Sequence, residues 1–160
     1  MRHLHLGLGR FHRAHQAYYL ANLGVPITAF SMRSSAEADA LRDAGHRYTL
    51  RVHDGKDSHE ISIGAIDEAL FLGRDHARYF DLMEDPSIRT VTLTVTEKGY
   101  CCTASGELDL SHPDTGAFPP PYVGHSVVPL LVEGLRRRQA RHSRPIALIS
   151  CDNLVGNGRL

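Results

Sequence analysis

The sequence predicts an α/β fold, a doubly wound and mostly parallel sheet with one β-hairpin inserted in it. Three observations carry this. Short apolar or β-branched runs alternate with helical stretches. A glycine pair, Gly7 and Gly9, separates the first such run from the first helix. The most distinctive blocks, residues 7–15, 96–101 and 151–158, all fall at the carboxyl ends of predicted strands, where wound sheets bind ligands.

In chain order, residues 3–7 read as a strand and 11–23 as a helix stopped by Gly24 and Pro26. Residues 27–32 form a second strand, and Ser34 or Ser35 caps a helix over 36–44, with Gly45 after it. Alternation in 47–52 and 60–63, with Asp54-Gly55 between, predicts the hairpin. Residues 66–72 and 75–84 are expected to be helical, the second ending before Pro86. The β-branched run 89–96 is a strand. Residues 101–121, with the run Pro119-Pro120-Pro121, are loop; a helix over about 123–140 and a strand at 146–150 follow.

Composition narrows the classes. The 160 residues suit one domain. Lysine plus arginine number 18 against 18 aspartate plus glutamate, so no global charge argues for nucleic acid or an anionic membrane. The arginines at 136–138 and 141 sit at a helix end, where the macrodipole favours cations. No apolar run is long enough to span a bilayer. Three cysteines without a CxxC spacing do not form a disulfide framework, and a reducing cytoplasm is expected. His3, His5, His12 and His15 lack a cysteine or carboxylate to complete a close ligand set, so no metal is expected.

The stretch Leu4-His5-Leu6-Gly7-Leu8-Gly9-Arg10-Phe11-His12 is how a strand hands over to a helix beneath a pyrophosphate. Gly7 permits the tight turn; Gly9, lacking a Cβ, lets the backbone approach the phosphates. The usual third glycine is replaced by His12. Phe11 and His12 at the helix start join the glycines as expected cofactor contacts. The second strand should end beside an adenosine ribose. There the chain reads Arg33-Ser34-Ser35-Ala36-Glu37, which leaves two alternatives. Arg33 with Ser34 and Ser35 suits the 2′-phosphate of NADP, whereas Glu37 reaching back would suit the ribose hydroxyls of NAD.

Three blocks in order, Phe11-His12-Arg13-Ala14-His15, Thr94-Val95-Thr96-Glu97-Lys98-Gly99-Tyr100-Cys101 and Ser150-Cys151-Asp152-Asn153-Leu154-Val155-Gly156-Asn157-Gly158, resemble the mannitol dehydrogenase and fructuronate reductase family of polyol-specific long-chain dehydrogenases. The resemblance covers essentially the whole chain. It implies a Rossmann-like NAD or NADP domain, metal-independent, in an oxidoreductase acting on a polyol or sugar acid. It implies that Thr96 lies at the cofactor and that Glu97 gates or relays a proton near the substrate. It also implies that Asn153 polarises the substrate carbonyl, as a neutral amide suits an oxygen gaining negative charge. Val155 stands where the family commonly has proline.

The family's general base is a lysine on a later helical domain, and Lys98 belongs to a different motif. The resemblance therefore implies that this chain is the N-terminal part of a larger dehydrogenase, without its C-terminal helical domain, inactive alone and prone to self-association. The rival reading is a non-catalytic nucleotide-binding or regulatory module of the same fold.

Overall fold

The computed structural model describes residues 2–103, 105–115 and 126–153, apart from the Glu97 side chain. Five parallel strands form one sheet in the order β5-β2-β1-β6-β7: β1 (His3–Leu6), β2 (Ile27–Ser31), β5 (Ile66–Phe71), β6 (Thr90–Leu93) and β7 (Ala147–Ser150). The chain winds outward from β1 in both directions, so the sheet has its switch point between β1 and β6. An antiparallel pair, β3 (Tyr48–Asp54) and β4 (Asp57–Ile63), forms the separate hairpin. Gly55, at φ 61°, occupies the first central position of its two-residue turn.

Period-two alternation divides the sheet residues between two covered faces. Leu4, Leu6, Phe30, Val91 and Leu93 pack beneath α4 (Leu72–Glu84) and α5 (Val127–Arg141). On the opposite face Ile27, Ala29, Ile66 and Ala69 meet Ala17 of α2 (Gln16–Asn22) and Ala38 and Leu41 of α3 (Ala36–Asp43). The same alternation sends His3, His5, Thr92 and Thr94 toward that second face, where they make a buried polar layer described below.

Two elements differ from the sequence expectation. Residues 66–71 are not helical: they form β5, paired in parallel with β2 along Thr28↔Glu68 to Ser31↔Phe71. The helix formers Glu68, Ala69 and Leu70 are overridden because the edge of β2 needs a hydrogen-bonding partner. Glu68 is accommodated by Thr28, whose hydroxyl donates to it at 3.0 Å, and by Arg78 at 2.9 Å. The expected helix 11–23 is also broken, into α1 (Arg10–Ala14) and α2, at His15 with φ −118° and ψ −83°.

The basic helix end is consumed internally. Arg136 and Arg137 pair with Glu133, and Arg141 pairs with Glu84. Arg138 is buried and donates to the carbonyls of Met83, Asp85, Ile88 and Arg144. Residues 116–125, which include the triple proline and the first positions of the expected helix, lie outside the described residues. Among the described residues no helix is long and apolar enough to cross a membrane.

Candidate functional site

Two contiguous clefts open above the switch point. The first, of about 320 Å3, is walled by Gly7, Leu8 and Gly9 after β1, by Ser31 to Ser34 and Glu37 after β2, and by Thr94 to Thr96 and Gly99 after β6. The second, of about 690 Å3, shares Arg33, Thr94, Val95 and Thr96 with the first. It adds Phe11, Lys98, Asp152 and Asn153.

The glycine turn is built from backbone. The amides of Gly7 and Leu8 both donate to the Phe30 carbonyl at 2.9 Å, and Thr94 N–H donates to the Leu6 carbonyl. Gly7 has φ 107°, and a Cβ there would lie 2.1 Å from the Thr94 carbonyl oxygen. Gly9 caps α1 in an extended conformation, and a Cβ there would meet only the Gly7 carbonyl oxygen, at 3.7 Å. The protein needs glycine at position 7 for its own packing. At position 9 it leaves open space in the cleft wall, as a closely approaching anion requires.

Beneath this turn lies the polar layer. The Thr92 hydroxyl meets His3 Nε2 at 2.7 Å and His5 Nδ1 at 2.8 Å, and donates to Gln16 Oε1 at 2.9 Å. Thr94 meets His5 Nε2 at 2.9 Å and donates to the Gly7 carbonyl at 2.8 Å. Burial holds all three histidines neutral. It lowers His3 to about 4 and His12 to about 3, and it moves His5 well below the ordinary imidazole value, helped by the neighbouring His12.

His12 therefore departs from its expected role as a cofactor contact. Its side chain is fully buried and stacked on His5 with ring centroids 3.4 Å apart. Its Nδ1 meets Gln16 Oε1 at 3.0 Å. The ring turns inward onto His5, and its Nε2 is buried with no hydrogen-bond partner among the described residues, so the stacking comes at a polar cost. Ser35 also lies outside both cleft walls. Ser34 instead makes the turn contact, accepting from Ala36 N–H at 3.1 Å.

The remaining expected residues converge. Gly7, Gly9, Arg33, Ser34 and Thr96 line the first cleft, and Phe11, Arg33, Thr96 and Asn153 line the second. Arg33 donates to Thr96 Oγ1 at 3.4 Å, bridging the ends of β2 and β6. Glu97 opens a 3-10 turn, Glu97–Gly99, but its side chain lies outside the described set, as do Gly156 and Asn157. Sequence reasoning missed Asp152 as a wall residue, although it stands in a block whose pattern was already distinctive. It also missed Cys101, His112 and Asp114, whose ligand-type atoms lie within 4.8 Å of one another. There the His112 Nδ1 lone pair is already taken by Asp114 N–H at 3.1 Å.

Residues 1–160 match the family described as the mannitol dehydrogenase Rossmann domain. The chain belongs to the mannitol dehydrogenase family. It is 36% identical to a mannitol 2-dehydrogenase of Cereibacter sphaeroides, over 98% of this chain and 35% of that protein. It is 34% identical to the D-mannonate oxidoreductase of Escherichia coli, over 98% of this chain and 35% of that one. The mannitol 2-dehydrogenase of Pseudomonas fluorescens, solved as a ternary complex with NAD and D-mannitol, superimposes with a TM-score of 0.85 at 32% identity, covering 99% of this chain and 35% of that one. The chain thus spans roughly a third of the length of the curated relatives it matches.

Proposed function

We propose that this mannitol dehydrogenase family chain is the nicotinamide-dinucleotide-binding domain of an oxidoreductase that exchanges hydride between NAD and a polyol or sugar acid, of the mannitol/fructose or mannonate/fructuronate type. The observation that carries the reading is the pair of joined clefts at the switch point, one floored by the glycine turn and the other reaching Asn153. The nicotinamide supplies the hydride acceptor or donor; the chain supplies binding, orientation and polarisation. Gly9 and the first-turn amides of α1 would receive the pyrophosphate, and Phe11 would flank the nicotinamide side. The Asn153 amide would donate to a carbonyl oxygen gaining charge. Glu97, which precedes the cleft residue Lys98 in sequence, would relay a proton.

NAD is preferred over NADP in this reading because Glu37 stands in the wall of the first cleft. A carboxylate there accepts from both ribose hydroxyls and repels a 2′-phosphate. Arg33 and Ser34 in the same wall are what would let NADP enter. The test is a calorimetric titration with NADH and, separately, NADPH, since the chain has no tryptophan for a quenching assay. Saturable NADH binding, weaker NADPH binding and a lost preference in Glu37→Gln are expected. Tighter NADPH binding would reverse the preference, and no binding of either by folded protein would remove the reading. A cytoplasmic location, consistent with three free cysteines, belongs to the same proposal. So does self-association through the β7 edge, where Leu148 and Ile149 are exposed.

A further inference from the structure

Asp152 is the charged side chain at the end of β7, and its partners lie on three different segments. Its Oδ1 accepts from the Val95 N–H at 2.5 Å, on the run leaving β6. Its Oδ2 accepts from Ser150 Oγ at 2.8 Å and from the Tyr100 hydroxyl. The Tyr100 ring is buried in the core beside Leu93, so its hydroxyl reaches Asp152 from an anchored position. Burial first, and then the carboxylate, push the Tyr100 hydroxyl well above its ordinary value, keeping it a donor.

The backbone ladder between β6 and β7 closes with Cys151 N–H donating to the Leu93 carbonyl. The ladder ends there, and two residues farther on Val95 lines the second cleft. The carboxylate takes over at Val95 as acceptor, so the amide is not orphaned beyond the ladder. Val95, Asp152 and the next residue, Asn153, all line that cleft.

We infer that Asp152 is a positioning residue: with Tyr100 and Ser150 it clasps the ends of β6 and β7 and thereby sets Val95 and Asn153 in the wall of the second cleft. The inference rests on the proposed reading of the clefts as one dinucleotide and substrate site. A general base needs a lone pair turned to its substrate. Asp152 turns both of its oxygens to donors within the protein, Val95, Tyr100 and Ser150 among them. Its effect on chemistry passes through Asn153.

NADH differs from ADP-ribose by the nicotinamide ring, which in the proposed reading enters the second cleft, so the pair separates a local role from a general one. Asp152→Asn and, more gently, Tyr100→Phe are expected to weaken NADH binding by calorimetry, by about tenfold for the first, with ADP-ribose binding unchanged. Hydrogen exchange at the Val95 amide should speed up in Asp152→Asn while the amides of β1 keep their protection. Unchanged NADH affinity in both variants overturns the inference, and so does an equal loss for both ligands with a fall in Tm. Should Asp152→Asn fail to fold, Tyr100→Phe decides alone, because its ring still fills the core. A folded wild type that binds neither ligand removes the cleft reading. The clasp is then judged by exchange: an unchanged Val95 rate in the variants overturns it, and a faster one sustains it.

Discussion

A methyl group on Gly7 would collide with the Thr94 carbonyl at 2.1 Å and would also sit on a residue with φ 107°. A methyl on Gly9 would meet nothing closer than 3.7 Å. The two glycines of one motif therefore answer to different constraints, one internal and one external. Gly7→Ala should destabilise the fold by roughly 2–4 kcal/mol, read as a lower urea midpoint. Gly9→Ala should change stability by less than about 1 kcal/mol. It should nevertheless weaken NADH by at least about tenfold, because the new Cβ projects into the phosphate approach. Both glycines were legible in the sequence, but which constraint each obeys was not, since Thr94 lies 87 residues from Gly7.

Elements join here through single polar side chains as much as through apolar contact. Arg138 on α5 inserts its guanidinium among carbonyls at the end of α4 and before β6, at 2.8 Å from Met83 O and 3.0 Å from Ile88 O. No carboxylate is among those acceptors; the cation is satisfied by carbonyl dipoles at a helix C-terminus. Arg138→Met keeps much of the packing volume but takes the guanidinium from four carbonyls, of which Asp85 still accepts from the Ile88 N–H. It should cost about 3 kcal/mol, measured by urea denaturation. A loss as small as that of the exposed Arg136→Met would show that water satisfies those carbonyls instead. The sequence showed a basic helix end of the kind the macrodipole favours. The structure divides it residue by residue, because burial of one arginine among four depends on how α5 meets α4. β5 shows the same limit at the level of type: Ile66–Phe71 has helix-forming residues, and the vacant edge of β2 makes it a strand.

For the molecule as a whole, the histidine layer couples the fold to pH. His3 and His12 titrate at about 4 and about 3 in the folded chain, and His5 lies well below 6.5. All three would titrate near 6.5 when unfolded. The folded-state values are depressed, so the unfolded chain binds more protons as pH falls below about 6.5. The stability these groups contribute is complete above that pH and is lost as pH falls toward 4 and then 3. Each contributes a slope of about 1.4 kcal/mol per pH unit within its window. Urea midpoints between pH 6.5 and 4.5 should therefore drop steeply, and His3→Gln should flatten that slope by about one proton. An unchanged slope in the variant would mean that His3 takes up its proton without unfolding.

By itself the sequence determined what is local: strand, glycine turn and helix in order, the hairpin, and three blocks at strand ends that carry the family resemblance. These follow from periodicity and from residues a few positions apart, which act on the backbone directly. Only the tertiary structure decided that His12 turns inward, that Ile66–Phe71 joins the sheet, that Arg138 is buried, and that Asp152 holds two strand ends together. For three of these the deciding partner is remote in sequence: Phe30 in the β2 strand that β5 joins, Met83 for Arg138, and Tyr100 for Asp152. For His12 it is the ring of His5 across the glycine turn. Such contacts are set by how the sheet winds, and no local pattern records them.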